Sequence, residues 1–166
     1  MTDTAPFHDL ASEVLDIARA KGQRLVTAES CTGGMVAAAL TDIPGSSDVV
    51  IGGWVSYSNA AKCAMLGVLE TTLEAHGAVS EEVACEMADG ALYTGRGDLA
   101  VAITGIAGPG GSEHKPEGRV CFAIARATEI EDRSVTKEFG AIGRDEVRRA
   151  ATRHALEMLR DALNEE

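Results

Sequence analysis

The chain has 166 residues, 45% of them hydrophobic, which is enough for a domain whose core needs no disulfide or metal. It has no apolar run long enough to span a bilayer, and residues 1–9 are polar rather than signal-like. We therefore expect a cytoplasmic protein with no membrane partner. The net charge of −11 opposes contact with a nucleic acid backbone, so we expect no nucleic acid partner either.

The first third of the chain alternates between helix and strand patterns. Helical spacing of apolar residues from Phe7 predicts a helix that ends at Gly22, followed by a strand at 24–28. A second helix is predicted at 34–42. The residue pattern then predicts a strand at 49–57 and a short helix at 60–65.

The remainder continues the alternation. Thr71 and Glu74 have the spacing of a capping box, and Ser80 is predicted to cap a longer helix that runs through Leu92. Strands are predicted at 99–104, 118–127 and 134–139, with the last two able to pair as a hairpin, and a final helix at 145–163. His154 falls on the apolar stripe of that helix and is predicted to be a core residue.

This alternation predicts an α/β fold, a three-layer α/β/α sandwich with a mixed, mostly parallel sheet. No internal repeat, low-complexity tract or linker is present, so residues 1–166 are expected to form a single domain. The four cysteines include no C-x-x-C pair and the four histidines have no ligand spacing. We therefore expect reduced thiols and no bound metal.

The segment AESCTGG at 28–34 lies where a strand is predicted to pass into a helix. Free backbone amides at such a junction, together with the positive end of the helix, attract a phosphate or a developing oxyanion. The alternative is structural, with Ser30 or Thr32 capping the helix and Gly33 and Gly34 permitting close packing.

A second glycine-rich loop, TGIAGPGG at 104–111, follows a predicted buried strand. It matches neither the dinucleotide-binding fingerprint nor the Walker A loop. The loop is either a structural turn or a place where the backbone approaches a ligand phosphate or ribose.

Between these loops lie the residues with the clearest catalytic potential. Ser46 and Ser47 occupy a tight loop after a helix stop, and Tyr57 and Lys62 follow the next predicted strand. If Asn59 caps the short helix, Lys62 falls in its first turn, where the helix dipole lowers the pKa of a lysine. A neutral lysine can deprotonate a serine hydroxyl, although a solvated surface lysine is the simpler interpretation and nothing in the spacing brings Ser47 to Lys62.

Seven blocks in order along the chain resemble the CinA C-terminal domain family, whose members are nicotinamide-nucleotide amidases. The resemblance covers essentially the whole chain, and the blocks read AESCTGG, DIPGSS, VSYSNAAK, LGV, HGAVSEEV, ITGIAGPGG and KPEGRV. The resemblance implies a three-layer α/β/α sandwich and hydrolysis of nicotinamide mononucleotide to nicotinate mononucleotide and ammonia. It also implies a serine–lysine mechanism with no cofactor, and a homo-oligomer.

Carried onto this sequence, the family pattern makes Ser47 the nucleophile, Lys62 the base that activates it and Tyr57 a supporting hydroxyl. A second group is expected to bind the substrate and its oxyanion: Ser30, Thr32, Gly33, Gly34, Ser46, Asn59, Thr104, Gly105, Gly108 and Arg144. Arg144 is the expected phosphate or carboxylate partner. Only the family pattern separates Ser47 from Ser46.

Two other functions remain open. Cys31 lies near a predicted helix N-terminus, which would stabilise a thiolate nucleophile, but no histidine is placed beside it by the sequence. The other alternative is a non-catalytic nucleotide- or partner-binding module linked to DNA uptake and damage response, which is suggested by the family name alone.

Overall fold

A computed structural model describes residues 6–165, which form six α-helices, one short 3-10 helix and five strands. In chain order these are α1 His8–Lys21, β1 Leu25–Glu29, α2 Met35–Thr41, the 3-10 helix Ser46–Asp48, β2 Val50–Val55, α3 Asn59–Leu66, α4 Glu70–His76, α5 Glu81–Gly95, β3 Leu99–Gly105, β4 Arg119–Arg126, β5 Arg133–Glu138 and α6 Arg144–Asn164.

The five strands form one mixed sheet in the order β2-β1-β3-β4-β5. Strand β1 pairs in parallel with both β2 and β3. Strand β4 pairs antiparallel with β3 and with β5, which confirms the predicted hairpin. Parallel and antiparallel pairings are therefore equal in number rather than mostly parallel, because loops at 106–118 and 127–132, not helices, connect β3 to β4 and β4 to β5.

Helices cover both faces of this sheet, which confirms the predicted three layers. On β3, Val101 and Ile103 point into a core formed with α1, α2 and α6, whereas Ala100 and Ala102 point towards α5 on the opposite face. The alanine face lets α5 approach the sheet closely. Among residues 6–165, no helix has the length and apolarity needed to cross a membrane.

The predicted helix ends agree with the structure where the capping group is local. Gly22 ends α1 in the left-handed conformation, and the Ser80 hydroxyl accepts a hydrogen bond from the Val83 amide at the start of α5. The capping box at Thr71 is wrong, because α4 begins before it, at Glu70. A carboxylate from α5 replaces it: Glu86 accepts from the Leu69 amide and from the Thr72 hydroxyl.

His154 lies on the apolar face of α6, as predicted, but its side chain is half-buried rather than a full core residue. Its ring packs edge-on against Phe122 of β4, with 4.6 Å between centroids. Burial lowers the pKa of the imidazole, which favours its neutral form in this position.

Helix α5 packs so tightly against the end of α3 that a Cβ at Gly90 would overlap the carbonyl oxygen of Leu66. Alanine in place of glycine ordinarily stabilises a helix by about 1 kcal/mol. We expect Gly90→Ala instead to lower the free energy of unfolding by about 1–3 kcal/mol, since backbone must move to admit the methyl group.

Denaturant unfolding monitored by circular dichroism measures this difference. Gly52→Ala is the matched control, because the nearest atom to its Cβ is the Trp54 side chain at 3.8 Å, an ordinary contact distance. Equal stability of the two variants would show that α3 and α5 are not in close contact.

Candidate active site

A cleft of about 310 Å³ opens at the carboxyl ends of the three parallel strands. Ser30 follows β1, Tyr57 follows β2, and Thr104 lies at the end of β3, so the cleft lies where α/β folds place their ligands. Its remaining lining includes Cys31, Asn59, Lys62, Gly105, Gly108 and Arg144.

Lys62 projects into this cleft from the first turn of α3. Its side chain is almost completely buried, at 1% exposure, and its Nζ donates to Ser30 Oγ at 3.0 Å and to the Ser56 carbonyl at 2.9 Å. No carboxylate among the described residues forms an ion pair with it. The cleft therefore contains a serine hydroxyl in direct contact with a buried amine.

Burial lowers the pKa of Lys62, and the neighbouring Cys31 and Cys63 partly oppose this shift. The sequence predicted the direction of this shift, and burial is its largest cause. The predicted cap is also wrong: Ser58, not Asn59, caps α3, since its extended backbone lets its hydroxyl accept from the Ala61 amide at 3.1 Å. Asn59 is the first residue of α3 and lies at the cleft.

The side chain of Glu29, the last residue of β1, binds the amides at the start of α2. This helix end therefore does not present the free amides that the sequence predicted. Its buried carboxylate accepts from the amides of Val36 and Ala37, at 2.9 and 3.1 Å, and from the Thr32 hydroxyl at 2.7 Å. Thr32 thus points to Glu29 and is not part of the cleft lining. Neither Ser30 nor Thr32 caps α2; the carboxylate of the preceding strand does so.

Gly33 and Gly34 connect this loop to α2 behind the cleft. Both have positive φ, and a Cβ at Gly34 would contact the Val55 side chain at 3.5 Å. Their left-handed backbone conformation favours glycine at both positions, and neither residue lines the cleft.

Ser46 and Ser47 lie at the opposite end of the sheet. They belong to the 3-10 helix that precedes β2, whereas Lys62 follows β2. The six residues of β2 span about 20 Å at about 3.3 Å per residue. The chain therefore does not bring Ser47 to its own Lys62, and the serine that contacts Lys62 is Ser30.

Tyr57 and Arg144 form one wall of the cleft. Arg144, the first residue of α6, donates to the Tyr57 hydroxyl at 2.8 Å and to the Gly108 carbonyl at 2.7 Å. Tyr57 is 60% exposed and forms no hydrogen bond with Lys62 or Ser30. An arginine held in this way places a cation at the mouth of the cleft.

The glycine-rich loop after β3 forms the facing wall. Thr104 donates to the Ala78 carbonyl at 2.8 Å, and Glu117 fixes the loop by accepting from the Gly110 amide at 3.1 Å. A Cβ at Gly108 would overlap the Glu117 carboxylate. The φ of +89° at Gly108 also favours glycine, and Gly105 is part of the same lining.

Cys31 is also in the cleft, but its chemistry does not suit a thiolate nucleophile. Burial raises the pKa of its thiol to about 12, and the nearby Glu29 contributes to the increase. None of the residues that line the cleft is a histidine. In the described part of the chain, no group of side chains is arranged to hold a metal ion.

A hydroxyl in contact with an amine of lowered pKa, inside a cleft, is typical of serine hydrolases that use lysine as the base. The sequence named Ser30 as a cleft residue but missed this pairing. The missing signal is positional: Ser30 and Lys62 follow neighbouring parallel strands, whose carboxyl ends share one edge of the sheet.

A family model of the CinA C-terminal domain matches residues 7–163 of this chain. The chain therefore belongs to the CinA C-terminal domain family. The resemblance expected from the seven sequence blocks is confirmed.

Similar proteins agree with this assignment. The chain is 52% identical to nicotinamide-nucleotide amidohydrolase PncC of Escherichia coli strain K12 over 161 residues, covering 96% of this chain and 95% of that protein. A CinA-like protein of Mycobacterium marinum is 53% identical over 98% of this chain, which corresponds to 37% of the longer relative. The crystal structure of competence/damage inducible protein CihA from Agrobacterium tumefaciens has a TM-score of 0.91 at 48% identity, covering 97% of each chain.

Proposed function

We propose that this chain is an amidohydrolase that converts nicotinamide mononucleotide to nicotinate mononucleotide and ammonia, with Ser30 as nucleophile and Lys62 as base. The observation that carries the proposal is the 3.0 Å contact between buried Lys62 and Ser30 within the cleft. The name and the 52% identity of the Escherichia coli relative support the substrate.

In the first stage, neutral Lys62 accepts the Ser30 proton as the serine oxygen attacks the carboxamide carbon of the pyridine ring. The hydrogen bond to the Ser56 carbonyl uses one N–H of the amine and leaves its lone pair for the serine. The C–N bond then breaks, and protonated Lys62 gives its proton to the departing ammonia. The serine ester of the nucleotide remains.

In the second stage, the same lysine takes a proton from water, whose oxygen attacks the ester carbon. The ester bond breaks, Ser30 recovers its proton from Lys62, and the carboxylic acid is released. The proposed oxyanion donors are backbone amides of cleft-lining residues beside Ser30 and in the glycine-rich loop. The scheme needs no metal or redox cofactor, since serine supplies the nucleophile and no hydride moves.

Arg144 is the proposed partner of the substrate phosphate. Its guanidinium lies at the mouth of the cleft, oriented by Tyr57 and Gly108, and can still bind an anion through its remaining N–H groups. Tyr57 thus acts by orienting the arginine rather than by supporting the base. The single-domain assignment, the cytoplasmic location and a homo-oligomer stay predictions.

Two alternatives remain distinguishable by experiment. A Cys31 amidase is disfavoured by the raised pKa of that thiol. A non-catalytic binding module would bind the nucleotide without releasing ammonia. An ammonia-release assay with nicotinamide mononucleotide therefore separates the proposal from both alternatives when combined with variants.

We expect Ser30→Ala to lower ammonia release by at least about 10³-fold, because no other hydroxyl in residues 6–165 forms a hydrogen bond with Lys62. Cys31→Ala is the control inside the cleft and Ser47→Ala the control outside it, and both should retain substantial activity. Thermal unfolding verifies that all three variants are folded. Activity in Ser30→Ala with loss in Ser47→Ala would transfer the nucleophile to Ser47.

Lys62 should also determine the pH dependence of kcat/KM. Because the folded protein lowers its pKa below the ordinary value of about 10.4, the neutral, active fraction increases as pH rises and reaches a plateau above the lowered pKa. Lys62→Arg should be inactive over the same range, since a guanidinium stays protonated. A flat profile between about pH 6 and about pH 10, or an active Lys62→Arg enzyme, would contradict a lysine base.

If Arg144 binds the phosphate, the effect of removing its side chain should depend on whether the substrate carries a phosphate. Loss of a charge-assisted hydrogen bond costs about 1.5–3 kcal/mol, or roughly 10- to 150-fold in kcat/KM. Arg144→Ala should therefore impair turnover of nicotinamide mononucleotide by this factor yet leave turnover of the riboside, which lacks the phosphate, nearly unchanged. Equal losses for the two substrates would place the phosphate elsewhere.

A further inference from the structure

Arg148 of α6 lies directly behind the loop that carries Ser30. Its Nε donates to the Cys31 carbonyl at 3.0 Å and its Nη2 to the Thr32 carbonyl at 3.3 Å. Within residues 6–165 this half-buried guanidinium forms no ion pair, so its interactions are with the loop backbone. It does not line the cleft and cannot contact a substrate there.

The loop depends on these donors because it is buried. Cys31 and Thr32 are almost inaccessible to solvent. Inside the turn, the Gly33 amide donates to the Ser30 carbonyl at 3.0 Å and the Met35 amide to the Thr32 carbonyl at 3.1 Å. The Cys31 carbonyl has no backbone donor among the described residues and relies on Arg148.

Gly33 makes this approach possible. It has a φ of +60°, and a Cβ there would lie 3.1 Å from Nη2 of Arg148. With hydrogen in place of a side chain, the guanidinium can reach both carbonyls at once. This contact gives Gly33 of the AESCTGG segment a specific role on the side of the loop opposite the cleft.

We propose that Arg148 is a positioning residue for the nucleophile: it fixes the turn at 30–33 so that Ser30 Oγ stays within reach of Lys62 Nζ. The inference rests on the proposed function of that pair. Lys62 is tied to the end of β2 through the Ser56 carbonyl, whereas Ser30 belongs to the loop that Arg148 ties to α6. Displacement by about 1 Å between such reacting groups can cost about 100-fold in rate.

Arg148→Met tests this role, because methionine keeps much of the aliphatic stem but removes the donors. We expect kcat for nicotinamide mononucleotide to fall about 10- to 100-fold while KM changes by less than about threefold, since Arg144 remains to bind the phosphate. Arg149→Ala is the matched control: it removes the same charge at the next, exposed position and should keep wild-type kcat.

Rescue of kcat by added guanidinium distinguishes a positioning role from a merely structural one, because a structural defect would not be reversed by the ion. Arg148 borders an open cavity of about 350 Å³ between α1, α2 and α6, so the ion can diffuse to the vacated position. Millimolar guanidinium should raise kcat of Arg148→Met at least about threefold and leave the wild type unchanged. If Arg148→Met does not fold, Arg148→Lys takes its place with the same expected loss of kcat, because one ammonium cannot reproduce the two-point contact.

Three results would overturn the positioning role. They are a wild-type kcat in the folded variant, an increase in KM without a fall in kcat, and a fall in kcat that guanidinium does not restore. Ser30→Ala separates this outcome from failure of the proposed function. If Ser30→Ala is inactive and Arg148→Met is fully active, only the positioning role is lost. If Ser30→Ala is active, the serine mechanism itself is wrong.

Discussion

The site depends on burying the amine of Lys62 without an ion-pair partner. A buried ammonium loses its hydrogen bonds to water. Among residues 6–165, a serine hydroxyl and one backbone carbonyl are the hydrogen-bond partners that replace them. The neutral amine is therefore favoured, which is the form a base requires. The surrounding fold supports this unfavourable position: α3 holds the backbone of Lys62 and packs directly against α5 at Gly90.

The nearby buried carboxylate of Glu29 accepts hydrogen bonds from α2 and Thr32 and makes none with Lys62. A carboxylate against Lys62 would stabilise its ammonium form, raise its pKa and remove its value as a base. Glu29 is instead satisfied by two amides of α2 and the Thr32 hydroxyl. The positive end of α2 is therefore occupied by a carboxyl group of the protein itself.

The sequence predicted every strand, because apolar periodicity and glycine stops are local signals, but it missed groups supplied from elsewhere in the chain. Glu86 of α5 holds the start of α4, which no pattern near Thr71 reveals. In the site, Lys62 was recognisable from its place in a first helical turn. Ser47 is closer to Lys62 in sequence than Ser30 is, yet the length of β2 separates that pair. Strand order, which brings the ends of β1 and β2 together, cannot be read from local periodicity.

Helix α6 connects the two halves of the site. Arg144 and Arg148 are four residues apart and so lie on the same face of this helix, where one reaches the cleft mouth and the other the back of the Ser30 loop. The helix is anchored by a buried apolar face that includes Val147 and Ala151. Since one helix contacts both the cleft mouth and the Ser30 loop, a shift of α6 along its axis would disturb both together. The packing of α6 against the sheet is therefore part of the geometry of the site, although none of its core residues contacts the cleft.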